Sequence, residues 1–422
     1  MRFYRQLLTR LRPVYAHSAL LFLRRYQQEQ QYIEESKKSY ALMPDAFAPP
    51  GYLARSRKLL DQVWQRQSDP VRTPKEVRLF AVDRGNMPFH WFQSEYRRNF
   101  DAVIFSTFNH YLGYKRGIED LLAFSLVDAD SRTPLFSMQD LPDFQEWRRR
   151  LQKDLLTAVT RAHAERPLDI CFFHGSYTDF EPETLKRIRA LGVPVCLWWL
   201  DEKHSFHRKP WSGYQGGQEP LIGSCDVHLT NSFDAIRWYM ARGAAAYYFP
   251  QATDLENFPP INTKPDLGVT FVGGAFGYRG DFIRKLLKMG IPVECFGKGW
   301  PNGWVKDEIE IYRRSLINLG LGFTGFSPEM TCIKGRDFDI PSIGNLYLTT
   351  YDPELTYFYH IGKEIACYRN EFDCAYQIRY FLEQPEEALA IGRAGRERCR
   401  TDHSWTNRMT GLLRWMGILA DV

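Results

Sequence analysis

From Val77 onward, short apolar runs alternate with longer stretches in which apolar residues recur every three or four positions. Residues 78–82, 101–106, 168–173, 193–200, 227–230 and 247–249 read as strands. Residues 151–164, 183–191 and 235–242 read as helices between them. Runs that are apolar on both faces and alternate with helices predict a parallel α/β sheet covered on both sides. Residues 251–265, rich in Pro and polar side chains, predict a linker. A second series opens at Leu267 with strand, glycine loop and helix. Strands follow at 291–296, 316–321, 346–348 and 364–368, with helices at 372–382 and 385–400. There is no internal repeat and no low-complexity segment.

The expected architecture is two parallel-sheet α/β domains, over 71–250 and 266–402. Residues 404–419 read as a closing helix. Residues 1–70 read as a basic helical extension. Leu7, Leu11, Val14, Tyr15, Leu21 and Phe22 share one helical face, and Pro13 starts a second helix. The first 25 residues carry six Arg and no acid. They offer a peripheral contact with an anionic membrane, but packing on the domain or a dimer contact is the favoured reading, because the polar face is short and Pro13 interrupts the stripe.

Composition narrows the picture only in places. The chain of 422 residues is long enough for two ordinary domains. A net charge of +5 does not by itself imply nucleic acid. An enzyme acting on DNA would need a continuous basic stripe beside the cleft, and the clearest basic cluster lies in the first 25 residues. Eight cysteines are scattered without a C-x-x-C. Cys171, Cys196 and Cys295 sit in apolar runs and read as buried thiols, which makes a reducing cytoplasm the expectation. No apolar run approaches the ~20 residues a membrane span requires.

Candidate chemistry concentrates at 334–350, KGRDFDIPSIGNLYLTT. A helix start gathers unpaired N–H groups and the positive dipole end, so it suits an anion. Lys334 and Arg336 add two charges there. Asp339, about one turn in, is placed to accept hydrogen bonds from vicinal hydroxyls. Gly344 then breaks the helix before a strand. Gly273, Gly274 and Arg279 lie in a glycine loop between strand and helix, where backbone approaches phosphate closely and Arg binds it bidentately. A tight turn uses glycine for the same backbone reason. Trp300, after the next strand, either stacks on a base or packs the core. His174 and Asp201 end two strands of the first domain, where open α/β sheets bind ligands. Each suits a general base. A histidine satisfied by backbone and an N-cap carboxylate are the structural alternatives. Asp201, His204 and His207 at i, i+3, i+6 make a poor metal set, because i+6 turns away from i. Asp128-x-Asp130 and Asp337-x-Asp339 match a short acidic motif that recurs by chance. No metal is expected.

Taken together, 334–350, Tyr351-Asp352-Pro353-Glu354-Leu355, Ile361-Gly362-Lys363-Glu364-Ile365, Ala394-Gly395 and His403-Ser404-Trp405 resemble the CgeB-type (spore-maturation-like) glycosyltransferases of the GT-B superfamily. The resemblance covers most of 267–408, and it implies a GT-B-like fold of two Rossmann-like domains facing a central cleft, with residues 403–422 crossing back to the first domain, anchored by Trp405 and Trp415. It implies transfer of a sugar, as in hexosyltransferases, from a nucleotide-sugar co-substrate to a glycan, protein or small molecule, without metal or other cofactor. It implies a donor site from Gly273, Gly274, Arg279, Trp300, Lys334, Arg336, Asp339, Gly344 and Glu364. Asp339 stands where relatives commonly carry a ribose-gripping Glu. Retaining relatives carry a second Glu eight positions earlier, where this chain has Thr331, with Glu329 nearby. That departure leaves stereochemistry open. It also leaves room for a catalytically inactive nucleotide-binding or assembly protein on the same fold.

Overall fold

The computed structural model describes residues 51–84, 92–107, 110, 144–200, 202–206, 217–259, 264–305, 307–324 and 328–421. The expectations for the first 25 residues, for Asp128 and Asp130, and for Asp201 and His207 lie outside the described residues.

Two parallel sheets form the frame, as the alternating pattern predicts. The first orders its strands β2-β1-β3-β4-β5-β6. These are β1 (Arg78–Asp83), β2 (Asp101–Ser106), β3 (Ile170–His174), β4 (Val195–Trp199), β5 (Val227–Thr230) and β6 (Ala246–Tyr248). The second orders its strands β11-β10-β9-β7-β8. These are β7 (Leu267–Val272), β8 (Val293–Phe296), β9 (Ser315–Leu319), β10 (Leu346–Thr350) and β11 (Ala366–Tyr368). Every pairing is parallel. The fold is therefore two Rossmann-like parallel-sheet domains, as expected above.

Helices cover the sheet faces. Around the first sheet lie α1 (Tyr52–Val63), α2 (Gln93–Asn99), α3 (Phe144–Glu165), α4 (Pro182–Arg189), α5 (Glu202–Ser205) and α6 (Phe233–Ala241). α3 shows the governing pattern. Phe144, Trp147, Leu151, Leu155, Val159 and Ala162 recur at three- and four-residue steps and are buried. Around the second sheet lie α7 (Tyr278–Lys288), α8 (Glu308–Arg314), α9 (Arg336–Ile343), α10 (Glu371–Glu383) and α11 (Pro385–Asp402).

The last helix, α12 (Trp405–Trp415), leaves the second domain and enters the core of the first. Trp405, Met409, Leu412 and Leu413 are buried with Leu79, Phe172 and Trp198. Glu95 of α2 caps the entry, accepting from the backbone N–H groups of Trp405 (3.2 Å) and Thr406 (2.7 Å). Trp415 is only partly buried, and its indole donates to Leu53 O at 3.2 Å.

Three local expectations need correction. Residues 1–70 are not helical throughout, because α1 ends at Val63 and Trp64 is extended. Residues 65–70, QRQSDP, hold no apolar side chain to bury, and Pro70 disfavours helix at Asp69. The strand expected at 364–368 begins at Ala366, since Glu364 is tied into the turn before it. The candidate helix begins at Arg336 rather than Lys334, whose backbone N–H donates instead to Asp337 Oδ2 at 2.6 Å. Cys171, Cys196 and Cys295 are buried thiols as expected, and burial pushes Cys295 up to about 12. Among the described residues no helix is long and apolar enough to cross a membrane.

Candidate functional site

Parallel strands deliver all their C-terminal ends to one rim of the sheet. In the second domain, β7 and β8 run out into two glycine loops that stay zipped together. Gly273 N–H donates to Phe296 O, and Ala275 N–H to Lys298 O, both at 2.8 Å. Gly297 has φ 123°, and a Cβ there would stand 2.6 Å from Gly273 O, so no larger residue fits. Trp300 closes the arrangement by donating its indole N–H to Gly273 O at 2.7 Å, with its ring edge-on to Phe271. Trp300 therefore holds the loop and packs the core.

Arg336, the first residue of α9, lays its guanidinium on this loop. Its Nη2 lies 3.2 Å from where a Gly273 Cβ would stand, and its Cζ is 5.5 Å from the Phe271 ring centre. Nη1 is buried and has no hydrogen-bond partner among the described residues. Arg279, in the first turn of α7, donates to Phe323 O at 3.3 Å. Lys334 reaches the next residue along, Thr324 Oγ1, at 3.0 Å, and Cys332 Sγ at the same distance. Arg279 and Lys334 thus converge on the segment that leaves β9, while Arg336 holds the loop that leads into α7.

One turn along α9 lies Asp339, 7% exposed, with Oδ1 lacking a hydrogen-bond partner among the described residues. Burial raises its carboxyl well above the ordinary range. The Glu308 and Asp254 charges raise it further, while the Thr253 hydroxyl and Arg336 oppose the shift. The neighbouring Asp337 is differently placed. Its oxygens accept from Lys334 N–H at 2.6 Å and Tyr347 OH at 2.7 Å, and burial pushes it up to about 6. Asp337 builds the helix start, and Asp339 is left with an open oxygen. Glu308, at the start of α8, was not singled out in the sequence. Burial pushes it up to about 7, against the lowering influence of Arg336. Its only sequence signal is an acid in the first turn of a short helix that the periodicity did not resolve.

Glu364 and Gly344 are held by other partners. Glu364 is taken up by Arg398 (Nη2 to Oε1, 3.0 Å) and by the His360 N–H (2.7 Å). Gly344 is the left-handed C-cap of α9, packed on Arg396. Both sit where α11 crosses closely: a Cβ at Gly395 would stand 2.3 Å from Glu364 O.

On the rim of the first sheet, His174 ends β3 beside Asp83, the last residue of β1. Nδ1 of His174 is 3.7 Å from Asp83 Oδ1, and its ring centre is 4.5 Å from that of Trp198. Gln93 of α2 holds the other Asp83 oxygen at 2.6 Å. The sequence reading found His174 but not Asp83, although both close apolar strands.

The two rims are joined by polar contacts. Asn231, just past β5, donates to Ile333 O at 2.7 Å, and Lys203 of α5 donates to Thr331 O at 3.1 Å. Thr331 itself donates to Asp352 Oδ2 at 2.8 Å. Glu354 crosses in the other direction, accepting from Tyr248 OH (2.7 Å) and Phe233 N–H (3.2 Å), with Lys203 Nζ 3.9 Å away. Burial pushes Glu354 up to about 7, and Lys203 partly offsets it. The first domain therefore grips the same short segment, 331–334, that carries Lys334.

Residues 279–414 match the family model described as glycosyl transferase-like. HepE of Anabaena, in complex with UDP and glucose, is similar in structure at 10% identity and a TM-score of 0.48, over 80% of this chain and 99% of that one. A glycosyltransferase from Rickettsia africae gives 10% identity and 0.48, over 81% and 98%. A UDP-N-acetylglucosamine 2-epimerase gives 11% and 0.42, over 80% and 96%. No curated protein matches the chain. At these identities and TM-scores none of the structures fixes an activity for this chain.

Proposed function

We propose that the chain transfers a sugar from a nucleotide-sugar to an acceptor hydroxyl, in the manner of a CgeB-type enzyme. The observation that carries the reading is the pairing of Arg336 with Asp339 on one helix. Among the described residues, a buried guanidinium nitrogen without a hydrogen-bond partner lies against a glycine loop, and a buried carboxylate oxygen without one lies one turn away. A diphosphate fits the first and a ribose hydroxyl the second. The glycosyl transferase-like match over the same region supports it.

Breaking the sugar–phosphate bond leaves negative charge on the diphosphate. Arg336, with Arg279 and Lys334, stabilises that charge as it forms, and no metal is called on. Across the gap, His174 takes the proton of the acceptor hydroxyl through Nε2. Asp83 lies on the Nδ1 side and orients the ring. The 3.7 Å separation is longer than a hydrogen bond, as is common before substrate binds. Closure of the domains over the donor excludes water and limits hydrolysis.

The test is a panel of nucleotide-sugars read by melting temperature and by turnover. A stabilising ligand that is also consumed is expected, because binding to the native state raises its melting temperature. Arg336→Ala is expected to remove the shift and lower turnover by roughly a hundredfold or more. A panel that stabilises nothing would overturn the donor site. Stabilisation without turnover on any acceptor would favour the inactive nucleotide-binding protein.

A further inference from the structure

The outward face of α10 carries an aromatic row. Phe372, Tyr376 and Tyr380 are 71%, 69% and 39% exposed, while Cys374, Ala375, Ile378 and Phe381 on the same helix are buried against the sheet. Steps of four residues keep the three rings on one stripe. Leu287, 50% exposed, sits near the end of α7. The two helices are tied by Lys285 to Glu371 at 2.8 Å and by Arg379 Nη2 to Met289 O at 2.7 Å. Four of the eight exposed large hydrophobic side chains among the described residues thus sit on one helix pair, far more than scattered surface apolars explain.

We propose that this face joins two copies of the chain, with α10 packed antiparallel on α10 across a two-fold axis at Tyr376. Such an axis sets each residue before 376 against the one equally far after it. Phe372 meets Tyr380, and Tyr376 meets its own counterpart. The charges obey the same operation. Asp373 falls opposite Arg379, and Arg369 falls opposite Glu383, so each pair is of opposite sign and occurs twice. Arg369, Arg379 and Glu383 are exposed and Asp373 is half-buried, so these side chains border the row. Two acids balance two bases, so an anionic membrane is not the favoured occupant. The four apolar side chains present on the order of 400 Å² per copy. The two copies together bury about 800 Å², less than the ~1,000 Å² of a stable interface, so the association is weak, transient and concentration-dependent.

The full chain should be followed by light scattering or sedimentation over a wide concentration range. The mass is expected to rise from one chain toward two. Tyr376→Glu is expected to stay at one chain with an unchanged melting temperature, since the ring is solvent-facing. Arg379→Glu and Asp373→Lys are each expected to be monomeric, because each sets like charges face to face. Mixing the two should restore association, because every facing pair is again opposite. Asp373 also accepts the Arg369 N–H at 2.9 Å. Arg379 also donates to Met289 O, so if either replacement lowers the melting temperature, Arg369→Glu with Glu383→Lys repeats the mixing test. Three results would overturn the proposal: a chain monomeric at every concentration, a dimer indifferent to Tyr376→Glu, or vesicle binding lost in Tyr376→Glu while the mass stays at one chain.

Discussion

The two sheets end in rims of opposite character. The second sheet runs into zipped glycine loops that receive Arg336, with Arg279 and Lys334 on the neighbouring segment. The first sheet ends in Asp83 and His174, backed by Trp198. The backbone rule is the same in both, since parallel strands carry their final residues to one edge. The side chains are not the same: one rim gathers Arg and Lys beside glycine loops and the other pairs Asp83 with His174, which under the proposed function hold an anion and accept a proton respectively. The lesson is that the doubled fold supplies two equivalent places, and the residues that end the strands divide the work between them.

That division can be broken most sharply at His174. His174→Ala is expected to lower turnover by ~10²–10⁴-fold while leaving the nucleotide-induced melting shift intact, opposite to Arg336→Ala. Asp83→Asn should give a smaller loss of turnover and an altered pH–rate profile, because it changes the partner and not the base. Loss of the nucleotide shift in His174→Ala would mean that the two rims are not separate in function.

The seam between the rims offers a second, smaller effect. Glu354 has an ordinary value of 4.5 and is pushed up to about 7 by burial between the domains. Over that window the unfolded chain releases the proton before the folded one does. Glu354 therefore costs stability progressively as pH rises from about 4.5 to about 7. Glu354→Gln keeps the shape and removes the charge. Its melting temperature is expected to gain on the native chain with rising pH, with the difference largest above pH 7 and fading toward pH 5. Parallel melting curves for the two proteins would show that the carboxylate is not strained in this way. Glu308 is raised over the same window, so the variant flattens the slope without abolishing it.

The smallest change is expected at Glu364. Its carboxylate is already taken by Arg398. Glu364→Gln should leave the nucleotide shift unaltered and lower the melting temperature by a few degrees at most, as is usual for a partly exposed ion pair. A lost shift would bring Glu364 back into the donor site, where the family resemblance put it.

Much of this was legible along the chain. The alternation of apolar runs and amphipathic stretches determined two parallel sheets, because strand and helix periods are properties of neighbouring residues. Glycines directly after strands, and charge at the start of 336–343, marked Gly273, Arg336 and Asp339 for the same local reason. The helix at 308–314 was missed, being too short to show a period. Only the tertiary structure decided that Asp83 stands beside His174, that Arg398 occupies Glu364, and that Asn231 and Lys203 grip the segment before Lys334. Those side chains are brought together by sheet order and domain packing, and no spacing within one element encodes such a meeting.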